Sequence, residues 1–596
     1  MIKTIIGVLL LLVPFLLINK FKNKKLGFFY ILSFLLAFHL SVAIITQFFG
    51  IFNYWVVIGI NSLACLAILI KTDYKLLRGS AKKIKIDWVL VFIIIILFIQ
   101  FFHIHYNYAG TVTTTIENYK EVSGVKYPYP YFSDEWSAVS FIQYSLDSGK
   151  LPLVNPLWYN AAFPNLELPF HSFVSEMMMV LGLNPVTQYT ILTIFTGLLI
   201  CLLVYFILRF NKISKLAASV ACLSIPYIIN GANLPGLWTL IPLIMGLISM
   251  LLGFLFISTE RKGMILFMAF LTLIFYPPLF VLYSVALIFY LIYSEIPKKE
   301  KIKTIKIYFG ICIVLVLLLS LFAYFNREDF ISYIFSKIFY ETFTRNAIPD
   351  FTIWKVVPIP IILLAIFGGF KIFRKKAWLV STAIVGLMYW WLYSFMLWRF
   401  IIEYERVVLS TSILMMILSG FGLHYLLKYL KKLNFIRKYK ILKIVQVLVL
   451  VLFFIFAFSY TQRENWQDLN LHNIKGTSAF KPASPANMYL HPDDLKLFED
   501  IEGKRFLALP WKGTVIGVAT KNYPLDTKSA TITNKFTSYS GFMSADCEKK
   551  IEIMQENEID YIYGKEIECK EFEELGVSEE GWHLYIMKSG EGNKSD

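Results

Sequence analysis

Long apolar runs separated by short basic segments dominate the first 460 positions of the chain. A helix that crosses a bilayer needs about 20 apolar residues. Runs that approach or reach this length lie at 3–19, 27–46, 52–70, 87–104, 188–208, 213–230, 237–257, 306–325, 353–371, 377–396, 405–427 and 441–459. The longer stretch 263–294 is broken by Tyr276-Pro277-Pro278, so we interpret it as two short helices. The pattern predicts about 14 membrane spans.

The pattern changes after Tyr460. A segment with Pro482, Pro485 and Pro492 leads into short alternating stretches. RFLALP, IDYIYG and WHLYIM are typical of strands, whereas DDLKLFEDI and CEKKIEIMQENE are typical of helices. We therefore expect a mostly α polytopic membrane protein with a small C-terminal α/β domain. Its parts are extra N-terminal spans (1–86), a membrane module (87–460) with a large loop (105–187), and a soluble domain (461–596).

Composition supports a membrane protein. Of the 596 residues, 57% are hydrophobic and only 16% are charged. A soluble protein of this size could not bury so much apolar surface, so lipid must cover part of it.

The net charge of +16 reports orientation rather than a nucleic-acid partner. From Arg463 onward 16 basic residues face 23 acidic ones, so the positive excess lies in the membrane part. It is concentrated in alternate short loops, such as 71–85, 298–306 and 428–443. Basic loops stay in the cytoplasm. This places the N-terminus, the loops 105–187 and 326–352, and the C-terminal domain outside a plasma membrane.

Two segments need separate interpretation. The apolar stretch 170–183 is short and contains His171 and Glu176. Counting it as a span would invert the following basic loops, so we expect a helix at the outer membrane surface.

The first apolar run is followed by lysines and shows no small-residue cleavage site, which favours a retained span over a signal peptide.

The loop 105–187 is the longest loop of the membrane module, and long loops in compact proteins are usually functional. Its distinctive feature is the acidic pair Asp134-Glu135 between Phe132 and Trp136. One interpretation is that Ser133 or Asp134 begins a helix as its N-cap. The other is that a carboxylate at the lipid–water boundary, walled by aromatic rings, is a general base or a metal ligand.

The loop also carries a resemblance. The succession of SDEW, GKLPLVNPLW, a Pro-Phe-His segment and Gly-Leu-Asn-Pro resembles the type C glycosyltransferase superfamily (GT-C). Members are multispan enzymes that take sugars from polyprenyl-phosphate donors on the outer side of the membrane. The layout matches over about residues 87–427, whereas only the loop and its flanks match in sequence.

The resemblance implies a chemistry. Asp134 would accept the proton of the acceptor hydroxyl, and a hexosyl or pentosyl group would be transferred with inversion. Glu135 would assist or hold a divalent cation together with Asp134; metal dependence stays open. Trp136 offers a face to the sugar. The partners implied are the lipid-linked donor, a glycan, lipid or protein acceptor, and membrane lipids.

The leaving phosphate requires cations. Arg399 and Arg406 in WRFIIEYER are the candidates, because a guanidinium matches phosphate oxygens. Equally, they could pair with Glu403 and Glu405 or reach lipid headgroups. His171 is a further candidate, against an ordinary interfacial histidine.

The sequence departs from the superfamily pattern at one loop, and two other functions stay open. The loop 230–236 lacks the second acid found in several branches of the superfamily, which weakens a metal-dependent mechanism. A transporter or flippase would show ionisable residues inside the spans or paired broken helices. The Pro277-Pro278 break is the only hint of this kind, and we expect no buried ionisable residues in the spans. A non-catalytic component of surface-polysaccharide synthesis would use the C-terminal domain for binding. Whether Cys547 and Cys569 pair also stays open.

Overall fold

A computed structural model describes most of the chain. The described residues are 2–21, 23–72, 87–106, 108–113, 119–130, 133–158, 161–163, 165–228, 236–293, 356–357, 359–396, 404–432, 490–527, 530–531 and 539–588, with single positions 302, 306, 310, 444 and 448. The helices of the membrane part are α1 (Ile2–Leu12), α2 (Lys24–Phe48), α3 (Tyr54–Ile70), α4 (Trp88–Tyr106), α5 (Ser133–Ser148), α6 (Leu168–Leu181), α7 (Tyr189–Phe210), α8 (Lys215–Ser224), α9 (Pro242–Ser258), α10 (Lys262–Phe275), α11 (Pro277–Tyr293), α12 (Ile359–Ile372), α13 (Ala377–Met396) and α14 (Tyr404–Leu430).

Four helical stretches are long and apolar enough to cross a membrane. They are Ile2–Lys20, which is α1 with the 3₁₀ helix Val13–Lys20, Lys24–Phe48, Tyr189–Phe210 and Arg406–Leu430. Nine shorter apolar helices accompany them within the described residues. The predicted spans at 306–325 and 441–459 lie outside the described residues, apart from single positions.

Proline and glycine shape the bundle as the sequence indicates. The Pro277 break divides the stretch 263–294 into α10 and α11, which confirms that interpretation. Helices α12 and α14 approach so closely that neither Gly368 nor Gly422 has room for a Cβ against the facing backbone. Small residues allow such close approach between membrane helices. The contact anchors α14, whose first turn contains Arg406.

Helix α6 lies beside one end of each of the N-terminal helices α1 and α2. Near its start the Ser172 hydroxyl donates to Gln47 Oε1 at 2.7 Å, at the end of α2. Past its end, Gly182 lies against the Lys3 side chain, at the start of α1. Both ends of α6 are thus beside helix termini, as in a helix that lies across a bundle.

A buried polar cluster connects α6 with α2 and α3. His39 Nδ1 lies 2.9 Å from Glu176 Oε1, and the Asn61 amide donates to the same oxygen at 3.1 Å. All three side chains are buried. The expectation that the spans contain no buried ionisable residue is therefore wrong, because His39 is within α2. An apolar helix tolerates such groups when they pair with one another.

The loop between α4 and α7 contains two small antiparallel pairs besides α5 and α6. They are β1 (Tyr108–Thr113) with β2 (Tyr119–Val125), and β3 (Val154–Asn155) with β4 (Ala161–Ala162). The 3₁₀ turn Pro156–Trp158 lies between β3 and β4 in the sequence.

The C-terminal domain is a small α/β unit, as predicted. Its helices are α15 (Pro492–Leu497), α16 (Pro510–Thr520), α17 (Tyr539–Ser544) and α18 (Cys547–Glu556). Its strands are β5 (Arg505–Leu507), β6 (Tyr523–Pro524), β7 (Asp526–Thr527), β8 (Ala530–Thr531), β9 (Tyr561–Gly564), β10 (Phe572–Val577) and β11 (His583–Met587). A mixed five-stranded sheet has the order β10-β11-β9-β5-β6.

Charged residues and a disulfide hold this domain together. Lys512, Asp494 and Glu580 form a buried ion-pair cluster, and the Tyr563 hydroxyl donates to Asp494. Asp494 also accepts the His491 backbone N–H at 2.8 Å at the start of α15, so Asp493-Asp494 open a helix as expected. Cys547 and Cys569 are joined by a disulfide, which answers the question that the sequence left open.

Candidate functional site

The first turn of α5 contains two acids, of which Asp134 is partly exposed and Glu135 is buried. The helix buries Ala138, Val139 and Ile142 against the bundle. Asp134 is in its first turn, where backbone N–H groups favour a negative charge. Its side chain is 44% exposed, so it can reach a molecule in solution.

Arg406 is the partner of Asp134. Its Nη2 donates to Asp134 Oδ2 at 2.7 Å across a separation of 272 residues. The Arg406 side chain is only 14% exposed. It projects from the first turn of α14, and that helix packs closely against α12 through its glycines. The fold therefore joins the predicted base and one predicted phosphate ligand at one point.

Glu135 meets different surroundings. Its side chain is fully buried, and Oε1 accepts the Leu240 backbone N–H at 2.7 Å. The carbonyl of the same Leu240 accepts the Tyr189 hydroxyl. Glu135 thus connects α5 to the segment before α9 and to the start of α7. Sequence analysis missed Leu240 and Tyr189, since a backbone N–H partner leaves no signal in side-chain identity.

Trp136 and His171 lie in the interior. Trp136 is fully buried in the main core. His171 stacks on Phe141 of α5 with ring centroids 4.7 Å apart, and its Nδ1 lies 3.0 Å from the Asn165 amide. Burial lowers the pKa of His171 to about 3, so the ring is neutral near pH 7. The neutral ring packs against α5 through Phe141.

The remaining predicted ligands fall elsewhere. Arg399, Glu403 and the loop 326–352 lie outside the described residues, so the role of Arg399 stays a prediction. A cation shared by Asp134 and Glu135 needs both carboxylates to face one point. They face Arg406 and Leu240 instead, an arrangement that does not fit a shared metal.

No protein-family model matches the chain, and no curated protein matches it. Solved structures of the oligosaccharyltransferase of Archaeoglobus fulgidus do. The enzyme named AglB, in complex with an inhibitory peptide and a dolichol-phosphate, is 11% identical with a TM-score of 0.48, over 80% of this chain and 69% of that one. The apo form is 13% identical with a TM-score of 0.45, over 81% and 70%.

A third structure is tethered to an acceptor peptide by a disulfide bond. It is 13% identical with a TM-score of 0.44, over 81% of this chain and 69% of that one. All three are structures of one archaeal oligosaccharyltransferase, and at this sequence identity the likeness concerns the fold alone.

Proposed function

We propose that the chain is a membrane glycosyltransferase. It would move a sugar from a polyprenyl-phosphate donor to a glycan, lipid or protein acceptor on the outer side of the plasma membrane, in cell-surface glycan synthesis. The observation that carries the proposal is the contact of Asp134 with Arg406. A half-exposed carboxylate beside a guanidinium supplies the base and the phosphate ligand that this transfer requires.

The reaction is a single displacement. The acceptor oxygen attacks the anomeric carbon, Asp134 takes the hydroxyl proton, and the bond from carbon to phosphate oxygen breaks with inversion. The departing polyprenyl phosphate carries the electron pair, and Arg406 donates to its oxygens. Phosphate oxygens compete with Asp134 for the guanidinium, so donor binding frees the carboxylate for the acceptor.

Glu135 would be a positioning residue in this scheme. It is buried, and its carboxylate holds the Leu240 backbone. That contact orients the first turn of α5, and with it Asp134. Misplacement of a catalytic group by as little as 1 Å can cost about 10²-fold in rate.

The outer placement of the C-terminal domain is part of the proposal. The Cys547–Cys569 disulfide supports it, since such bonds persist in oxidising compartments. Thiol labelling of intact cells before and after a membrane-impermeant reductant measures the placement. Labelling only after reduction is expected, and labelling only after lysis would reverse the orientation.

A transfer assay on the purified full-length protein tests the function. The enzyme is incubated with lipid-linked oligosaccharides extracted from the source membranes and with acceptors from the same cells. We expect Asp134→Asn to reduce transfer by about 10²- to 10⁴-fold, with unchanged thermal unfolding. Asp500→Asn, at an exposed position of the C-terminal domain, is the matched control. Full activity of Asp134→Asn would remove the proposed base.

A further inference from the structure

A cavity of about 410 Å³ opens where the far end of α5 meets the C-terminal domain. The α5 side contributes Gln143, Tyr144 and Asp147, and the C-terminal domain contributes Lys521 and Tyr523. The size is within the range of pockets for small ligands, about 300–1,000 Å³. The nearest lining residue on α5, Ser140, is six positions beyond Asp134, about 9 Å along the helix at 1.5 Å per residue. Neither Asp134 nor Arg406 lines the cavity, so it is distinct from that pair.

The chemistry of the walls selects a class of ligand. Amide, phenol, carboxylate and ammonium groups offer donors and acceptors together. Asp147 and Glu502 outnumber Lys521 among the charged wall residues, so an anion such as phosphate would be repelled. A neutral molecule with many hydroxyl groups can satisfy both kinds of group, and the tyrosine rings offer flat apolar faces.

Lys521 gives a second, independent observation. It ends α16 in the left-handed conformation, with φ of 58°. This position strongly favours glycine, because a side chain there is strained. Lysine occupies this position, and its Nζ lies 2.8 Å from Asp147 Oδ2, another lining residue of the cavity. A strained residue at a cleft is the kind of outlier from which function is inferred.

We propose that this cavity binds a sugar residue of the substrate glycan, remote from the bond that is made. The proposal deepens the proposed function and rests on it. Interactions with a remote part of a substrate help to orient the reacting part. Lys521 and Gln143 would donate hydrogen bonds to sugar hydroxyls, and Asp147 would accept them.

Saturation-transfer NMR tests the proposal on full-length Asp134→Asn protein in nanodiscs, so that no turnover occurs. The probes are maltotetraose, cellotetraose, mannotetraose and chitotetraose. At least one should bind, and Lys521→Gly and Gln143→Leu should each weaken its binding by roughly tenfold or more, the value of one lost hydrogen bond to a charged or polar group. Gln555→Leu, exposed on α18, is the matched control.

Lys521→Gly also separates binding from stability. Glycine relieves the left-handed strain, so the thermal unfolding of the protein should not fall. Absence of binding by all four sugars, or binding equal in the variants and the control, overturns the proposal. These outcomes leave the transfer assay of Asp134→Asn unaffected, so the two proposals fail separately.

Discussion

Both ends of α5 carry an aspartate paired with a cation from a distant part of the chain. At the first end Asp134 meets Arg406 at 2.7 Å, and at the last end Asp147 meets Lys521 at 2.8 Å. The first cation is largely buried, at 14% exposure, whereas Lys521 is 46% exposed. Water screens the charges of the second pair, so the two pairs differ in interaction energy although their distances are similar. The comparison separates a largely buried cation, at the pair that we propose carries the chemistry, from an exposed cation at the boundary with the C-terminal domain.

The largest effect is expected at the first end. Arg406→Gln removes the proposed phosphate ligand, and the transfer rate should fall by about 10²- to 10³-fold. Arg406→Lys should recover only part of it, because an ammonium cannot bind two oxygens as a guanidinium fork does. Steady-state rates with the lipid-linked donor measure both variants. Arg374→Gln, exposed beyond α12, is the control. Equal transfer rates for the Arg406 and Arg374 variants would mean that the Asp134–Arg406 pair has no special role in transfer.

Glu135 tests why the first end is rigid. Glu135→Ala leaves the buried Leu240 N–H without this acceptor, which should lower the free energy of unfolding by about 1–3 kcal/mol. Glu135→Gln keeps an acceptor oxygen and should lose less. Thermal unfolding in detergent, with exposed Glu556→Ala as reference, measures the difference. If Glu135→Ala unfolds with the reference, the carboxylate does not hold α5 in place.

The Asp147–Lys521 pair at the last end of α5 should contribute little to the free energy of unfolding. A double-mutant cycle of Asp147→Asn and Lys521→Met should give a coupling of about 0.2–1 kcal/mol that falls with added salt. Coupling well above this range would mean that the two ends are alike.

The pH dependence of the same pair has a defined sign. The hydrogen bond from Lys521 to Asp147 raises the pKa of Lys521 above 10.5. The small stabilisation is therefore fully present below the unfolded pKa and is lost as pH rises through the raised value. Unfolding midpoints of wild type and Lys521→Met should converge only in that alkaline range; convergence near neutral pH would contradict the pairing.

Local patterns predicted local structure well. The Pro277 break separates two helices, and each predicted strand and helix of the C-terminal domain is present, since periodicity and proline geometry act over a few residues. A helix does begin at Ser133, with Asp134 in its first turn, whereas the role of Asp134 as a base stays a prediction.

Contacts between distant segments were not accessible in the same way. Nothing near Glu176 in the sequence indicates His39 or Asn61, and nothing near Glu135 indicates the backbone of Leu240. Trp136 directly follows Glu135, and His171 is in the same long loop, yet packing buries both side chains.

The amino-acid sequence by itself indicated the membrane character, the C-terminal α/β unit and the position of Asp134 at the start of a helix. These depend on apolar length, charge distribution and helix-start chemistry, which are local properties. Only the tertiary structure decided that adjacent acids diverge, one towards Arg406 and one into the core. Side-chain direction on a helix changes by about 100° per residue, so neighbours in sequence meet different surroundings.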